Sequence, residues 1–176
     1  MAHNHASQTM TEEQPASQTS LVLSERRLEP WLQLDWQKFW LTVRSRDWKS
    51  LALVPAGVGG PADFTLTIAV SLARTGMIHL GVPIRVADAT RVPLKHMMQL
   101  VEEIQRCTAS GDLVLIALGP VAENPITVSV AQSVDSALLC ILFERMAFSD
   151  AKSTVDHVGL RKFIGSAVFH PDGKAG

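Results

Sequence analysis

Apolar residues in this chain fall into short, nearly continuous runs separated by stretches with helical spacing. Ser50–Pro55 (SLALVP), Asp112–Leu118 (DLVLIAL), Ala137–Phe143 (ALLCILF) and Phe163–Phe169 (FIGSAVF) are of strand length and apolar on both sides, the pattern of strands buried on both faces. Pro83–Ala87 (PIRVA) reads as a further strand, ending at Asp88. Between the first two strands, Asp63–Arg74 predicts a helix with Phe64, Ile68, Ser71 and Leu72 on one side, Asp63 placed to cap its start and Gly76 to close it. Pro93–Arg106 predicts a helix opened by proline, Val128–Val134 a short one, and Asp150–Lys162 another. This alternation predicts an α/β fold, a mostly parallel, doubly wound sheet with helices on both faces. Spacing alone does not order the strands.

The N-terminal part has a different composition. Residues 1–20 are rich in Gln, Ser, Thr and Glu and too polar to offset their own ordering by burial, which predicts a flexible tail. Residues 21–48 form a Trp-rich, helical segment that contains all of Trp31, Trp36, Trp40 and Trp48. Trp36, Phe39, Trp40 and Val43 follow i, i+3, i+4, i+7, one face of a helix, with Pro30 breaking the chain before it. Two readings stand: a helix packed on the core, or a hydrophobic surface on which Trp31, Trp36 and Trp40 meet a protein partner. Residues 49–170 make the α/β body and 171–176 a short tail.

Bulk properties narrow the functional classes. The 176 residues suit one domain with a real core. With 16 basic and 17 acidic side chains the net charge is −1, which excludes a general attraction to nucleic acid or anionic membranes. The six histidines (His3, His5, His79, His96, His157, His170) show no ligand spacing, so no metal site is expected. Cys107 and Cys140 lie in apolar contexts and read as free thiols in a reducing cytoplasm rather than as a disulfide framework. Neither a signal-peptide-like start nor an apolar run long enough to span a bilayer is present, so a cytoplasmic location without direct membrane insertion is expected. The chain has no tyrosine.

Open parallel sheets bind ligands beyond the carboxyl ends of their strands. Three features fall there: the loop Ala56–Ala62 (AGVGGPA), Asp88, and Gly119–Pro120. A glycine-rich turn feeding a helix can present backbone N–H groups to an anion, but strand-to-helix turns use glycine anyway, and alone the signal is weak.

A family resemblance sharpens it. Lys49–Gly76 resembles the first strand, phosphate loop and first helix of the bacterial tyrosine kinases of the capsule and exopolysaccharide type, which group with the MinD and ParA-like P-loop ATPases. Arg85–His96 (RVADATRVPLKH) resembles their second acidic motif, and Asp112–Pro120 (DLVLIALGP) their Walker B strand. Ala137–Phe143 and Phe163–Phe169 resemble later strands of that sheet, and Asp35–Arg46 the helix before the first. The likeness spans about residues 35–170 and rests on the order of segments, since no motif is intact. It implies a P-loop NTPase-like fold.

The departures bear on function. A Walker A loop uses a lysine on the β- and γ-phosphates and a hydroxyl on magnesium. Here the matching region reads Gly59, Gly60, Pro61, Ala62, Asp63, Phe64, behind Gly57, and no lysine lies between Lys49 and Lys95. Pro61 removes a backbone donor. Asp63 is expected to put negative charge where phosphates would arrive, worth roughly 1–4 kcal/mol of repulsion at about 4 Å. At the Walker B carboxylate stands Ala117, or Leu118 under a one-residue shift. Asp88, matching the first acidic residue of the second motif, and Arg91 nearby are left as a residual nucleotide or magnesium site, with Arg91 alternatively a solvated arginine or a partner of Asp88.

The sequence therefore predicts a pseudo-ATPase without catalysis, and without ATP or magnesium as cofactor, that works as a scaffold or regulator through protein contact. The resemblance implies a setting in exopolysaccharide synthesis or export. The expected partner is a membrane-embedded polysaccharide co-polymerase or a related ATPase that recruits the chain to the inner membrane face, and a homodimer also fits. Two alternatives remain: a nucleotide-binding ATPase with an atypical loop, and a cell-division or positioning adaptor or inhibitor.

Overall fold

The computed structural model describes residues 29–170. The tails expected over 1–20 and 171–176 lie outside these residues, as does the start of the Trp-rich segment.

The order of elements is α1 (Leu34–Arg44), β1 (Ser50–Pro55), α2 (Phe64–Leu80), β2 (Arg85–Ala89), α3 (Met97–Ala109), β3 (Val114–Leu118), α4 (Ile126–Ser133), β4 (Ser136–Leu142), α5 (Phe148–Val158) and β5 (Phe163–Phe169). All strand pairings are parallel, and the sheet runs β2-β3-β1-β4-β5. The predicted α/β class with a parallel, doubly wound sheet is what the chain adopts.

Side chains alternate across β1. Leu51 and Leu53 face α1 and α2 in a core with Trp40, Val43, Ile68, Leu72 and Leu115. Ala52 and Val54 face the opposite layer of α3, α4 and α5, with Ile104, Ile116, Ile126, Val130 and Val158. β1 and β3 are buried along their whole length because helices cover both their faces. Burying each large aliphatic side chain here contributes about 1.5–3 kcal/mol.

Several element boundaries differ from the sequence reading. Gly76 does not end its helix: α2 runs on to Leu80 and closes on Gly81, whose φ of +70° suits glycine. Gly76 is instead a packing position, since a Cβ there would lie 2.3 Å from Ile84 Cδ1 and 2.5 Å from Trp40 Cη2. Asp63 occupies the N-cap position of α2 but makes no side-chain cap hydrogen bond. Pro93 precedes a 3-10 turn, Leu94–His96, and regular helix starts only at Met97. The helix expected from Asp150 begins at Phe148 and stops at Val158, after which Gly159 at φ +99° leads into another 3-10 turn, Leu160–Lys162.

The tryptophans are decided by burial. Trp36 and Trp40 are 4% and 1% exposed and belong to the core, so the reading of these two as partner-contact residues is corrected. They sit on the inner face of α1, and the sheet covers them. Trp31 is half-buried, its ring under the Arg74 guanidinium at 4.2 Å. Among the described residues no helix is long and apolar enough to cross a membrane.

Candidate functional site: the crevice at the switch point

The sheet order creates one place where neighbouring strands part. From β1 the chain crosses to β2 over the α1/α2 face, whereas from β3 it crosses to β4 over the other face. β1 and β3 are adjacent, so between their carboxyl ends the following loops diverge and leave a crevice. A cleft of about 500 Å³ lies there. Gly57, Gly59 and Gly60 line it from the loop after β1, Thr90 and Arg91 from the loop after β2, and Gly119 and Pro120 from the loop after β3. The three candidate loops are thus brought together.

Close packing shapes the walls. A Cβ at Gly57 would stand 2.6 Å from that of Asp150, and one at Gly119 would stand 2.7 Å from the Thr90 carbonyl oxygen. Gly59 has a φ of +108° and packs its backbone against the Arg145 carbonyl. Asn124 ties the second and third loops: its Nδ2 donates to the Ala89 and Thr90 carbonyls, both at 3.1 Å, while its Oδ1 accepts the Ile126 N–H at 3.3 Å. Thr127 Oγ1 donates to the Gly119 carbonyl at 2.9 Å, and Thr65 Oγ1 to the Leu118 carbonyl at 2.7 Å. Across the loop, Thr154 Oγ1 holds the Ala56 carbonyl at 3.0 Å. These four side chains escaped the sequence reading; only Asn124, standing before Pro125, carries a local turn signal.

The chemistry of the lining is sparse. Its charged side chains are Arg91 and Glu123, both exposed. Asp63 lines a neighbouring cleft on the other side of the loop and not this one, so the repulsion expected from it is not directed into the crevice. Asp88 is also outside the lining. Its Oδ1 accepts from the Thr90 N–H at 3.0 Å and the Thr90 hydroxyl at 2.6 Å, and among the described residues it makes no ion pair with Arg91. Of the two plain readings of Arg91, a partner of Asp88 is not adopted, because the carboxylate closes its own turn, and the side chain is exposed as a solvated arginine.

The chain matches no protein-family model and no curated protein.

A magnesium triphosphate, the group that the P-loop-like arrangement implies, does not fit these residues. Ala117 is fully buried in the α1/α2 core, and Leu118 offers only its backbone carbonyl, which Thr65 already occupies. Among the described residues no lysine lines the crevice, and Thr65, near the start of α2, is committed to β3. What remains for an anion is the backbone of Gly57–Gly60, whose N–H groups donate to no acceptor among the described residues, together with Arg91.

Proposed function

We propose that this chain is a pseudo-ATPase: a P-loop-shaped protein that does not turn over nucleotide and acts as a scaffold or regulator by protein contact. Phosphoryl transfer on such sheets depends on positioning and charge stabilisation, supplied by a lysine, a hydroxyl-held magnesium and a strand-end carboxylate. The observation that carries the reading is the crevice itself. It has the right place in the fold, yet Arg91 is the only cation among the described residues that line it, and Ala117 and Leu118 stand at the end of β3 where a carboxylate is needed. The family resemblance of the segments supports a setting in exopolysaccharide synthesis or export. There a membrane-embedded co-polymerase or a related ATPase would bind the chain at the inner, cytoplasmic face of the membrane.

One observation favours a second reading. The unspent N–H groups of the glycine loop border the same crevice as Arg91, which favours the alternative of a nucleotide-binding ATPase with an atypical phosphate loop. Thermal unfolding with magnesium and millimolar ATP or GTP separates the two. A ligand at about 100 times its dissociation constant adds about 2.7 kcal/mol of stability. The scaffold reading predicts no change in Tm with either nucleotide, and a saturable rise would replace it with the second.

A further inference from the structure

The two edges of the sheet differ. β2 begins with Arg85 and carries Asp88, and Arg85 pairs with Asp112 beside it. Charges on an edge strand discourage another chain from pairing with it. β5, at the opposite edge, has no such guard: Phe163–Phe169 (FIGSAVF) contains no charged residue and no proline. Among the described residues no strand lies beyond it, so the backbone N–H and C=O groups on its outer side have no ladder to join. Gly165 and Ser166 at its centre are exposed, and a Cβ at Gly165 would meet nothing within 4 Å. The β4–β5 pairing shifts register at the start of the strand and is regular from Gly165 to Phe169.

Charge indicates what pairs there. A cleft of about 500 Å³ runs between α1 and this edge, lined by Asp35, Lys38 and Arg46 on one side and by Ile164, Gly165 and Ser166 on the other. Trp36 and Phe39, in the first turns of α1, lie against Phe169 with ring centroids at 6.1 and 5.7 Å. Asp35 therefore stands at the Phe169 end of the edge, and Arg46, about 16 Å further along the helix line, stands towards the Ile164 end. A two-fold axis through the middle of β5 exchanges these ends. It brings Asp35 of each copy to Arg46 of the other. Both side chains are exposed, and neither makes an ion pair among the described residues.

We propose that β5 pairs antiparallel with β5 of a second copy of this chain, about a two-fold axis at Ser166, joining the two sheets into one. Gly165 then lies opposite Ala167 of the second copy, and the two Ser166 residues lie opposite each other. Main-chain hydrogen bonds across the edge hold the pair, and the two Asp35–Arg46 contacts, one on each side of the axis, fix its orientation. The occupant is a second copy rather than a foreign strand because this chain supplies both members of the charge pair, one at each end of the edge. β4 separates this edge from the crevice, so the inference does not depend on the pseudo-ATPase reading.

Sedimentation equilibrium of the full chain tests this, at protein concentrations up to about 100 μM in about 0.15 M salt, where a two-chain particle is expected. Ser166→Lys sets like charges opposite each other at the axis and should weaken the dimer by at least about tenfold. Asp35→Arg alone should weaken it by about tenfold, since each Arg46 then faces a cation, and Asp35→Arg with Arg46→Asp should restore it. All three positions are exposed, and circular dichroism checks that each variant keeps its fold. If Ser166→Lys does not fold, the charge swap decides alone. A chain that stays monomeric throughout overturns the proposal. So does a dimer indifferent to Ser166→Lys, which would be using another face, or one that the double charge swap does not restore. Nucleotide turnover would remove the pseudo-ATPase reading and change none of these outcomes.

Discussion

Gly76 lies where Trp40 of α1 presses on α2, and it has room for no side chain. Alanine there would gain about 1 kcal/mol of helix propensity. Against this, the new methyl would meet the Trp40 ring, which is 1% exposed and cannot swing aside. Overpacking of this kind costs about 1–3 kcal/mol, and the fixed ring places Gly76→Ala near the upper end. A net loss of about 1–2 kcal/mol in urea unfolding is expected; an unchanged or raised midpoint would show that the helices part easily. Single residues were the least legible scale in the sequence. Gly76 reads as a helix stop because glycine is common at C-termini, and only the tertiary approach of Trp40 and Ile84 reveals its use. Asp63 reads as a cap by position, while its side chain makes no cap bond. Asp88 reads as a ligand, yet its carboxylate is taken up by the next turn through Thr90.

At the level of elements, the strands were legible and the loop chemistry was not. β1 and β5 fall where the apolar runs place them, although only β1 is buried along its whole length, while β5 is an edge strand with Gly165 and Ser166 exposed. Some helix starts drifted by two or more residues where prolines and 3-10 turns blur them, as at Pro93 and before Ile126. The join between β1 and β4 depends on Asp135, which no motif marks. Its Oδ2 accepts from the Lys49 N–H at 2.9 Å, the Ser50 N–H at 2.9 Å and the Ser50 hydroxyl at 3.0 Å. Partial burial pulls its pKa upward, but these hydrogen bonds and the nearby Lys162 charge outweigh it, and the carboxyl is held below the usual range. A depressed folded pKa means stability that is fully present above the unfolded value of about 4 and is lost as pH falls through the folded one. Urea unfolding of the parent chain should therefore lose more stability on acidification below about pH 4 than that of Asp135→Asn. Parallel pH profiles for the two would contradict the role given to Asp135.

For the whole molecule, the parallel sheet with two helical layers was legible from the alternation of runs, whereas the strand order and the crevice it creates were not. The order decides which loops meet, and it gathers the loops after β1, β2 and β3 around one cleft. It also separates Asp63 from that cleft, which local sequence could not show, and buries Ala117 on the far side of β3. The sheet is held by the cores on its two faces, which are made of apolar side chains and contain no phosphate-handling group. The most direct test is phosphate release by the purified full chain with ATP and magnesium. The account predicts a rate no different from buffer, unchanged in Asp88→Ala and Arg91→Ala. Steady turnover that disappears in Asp88→Ala would contradict it.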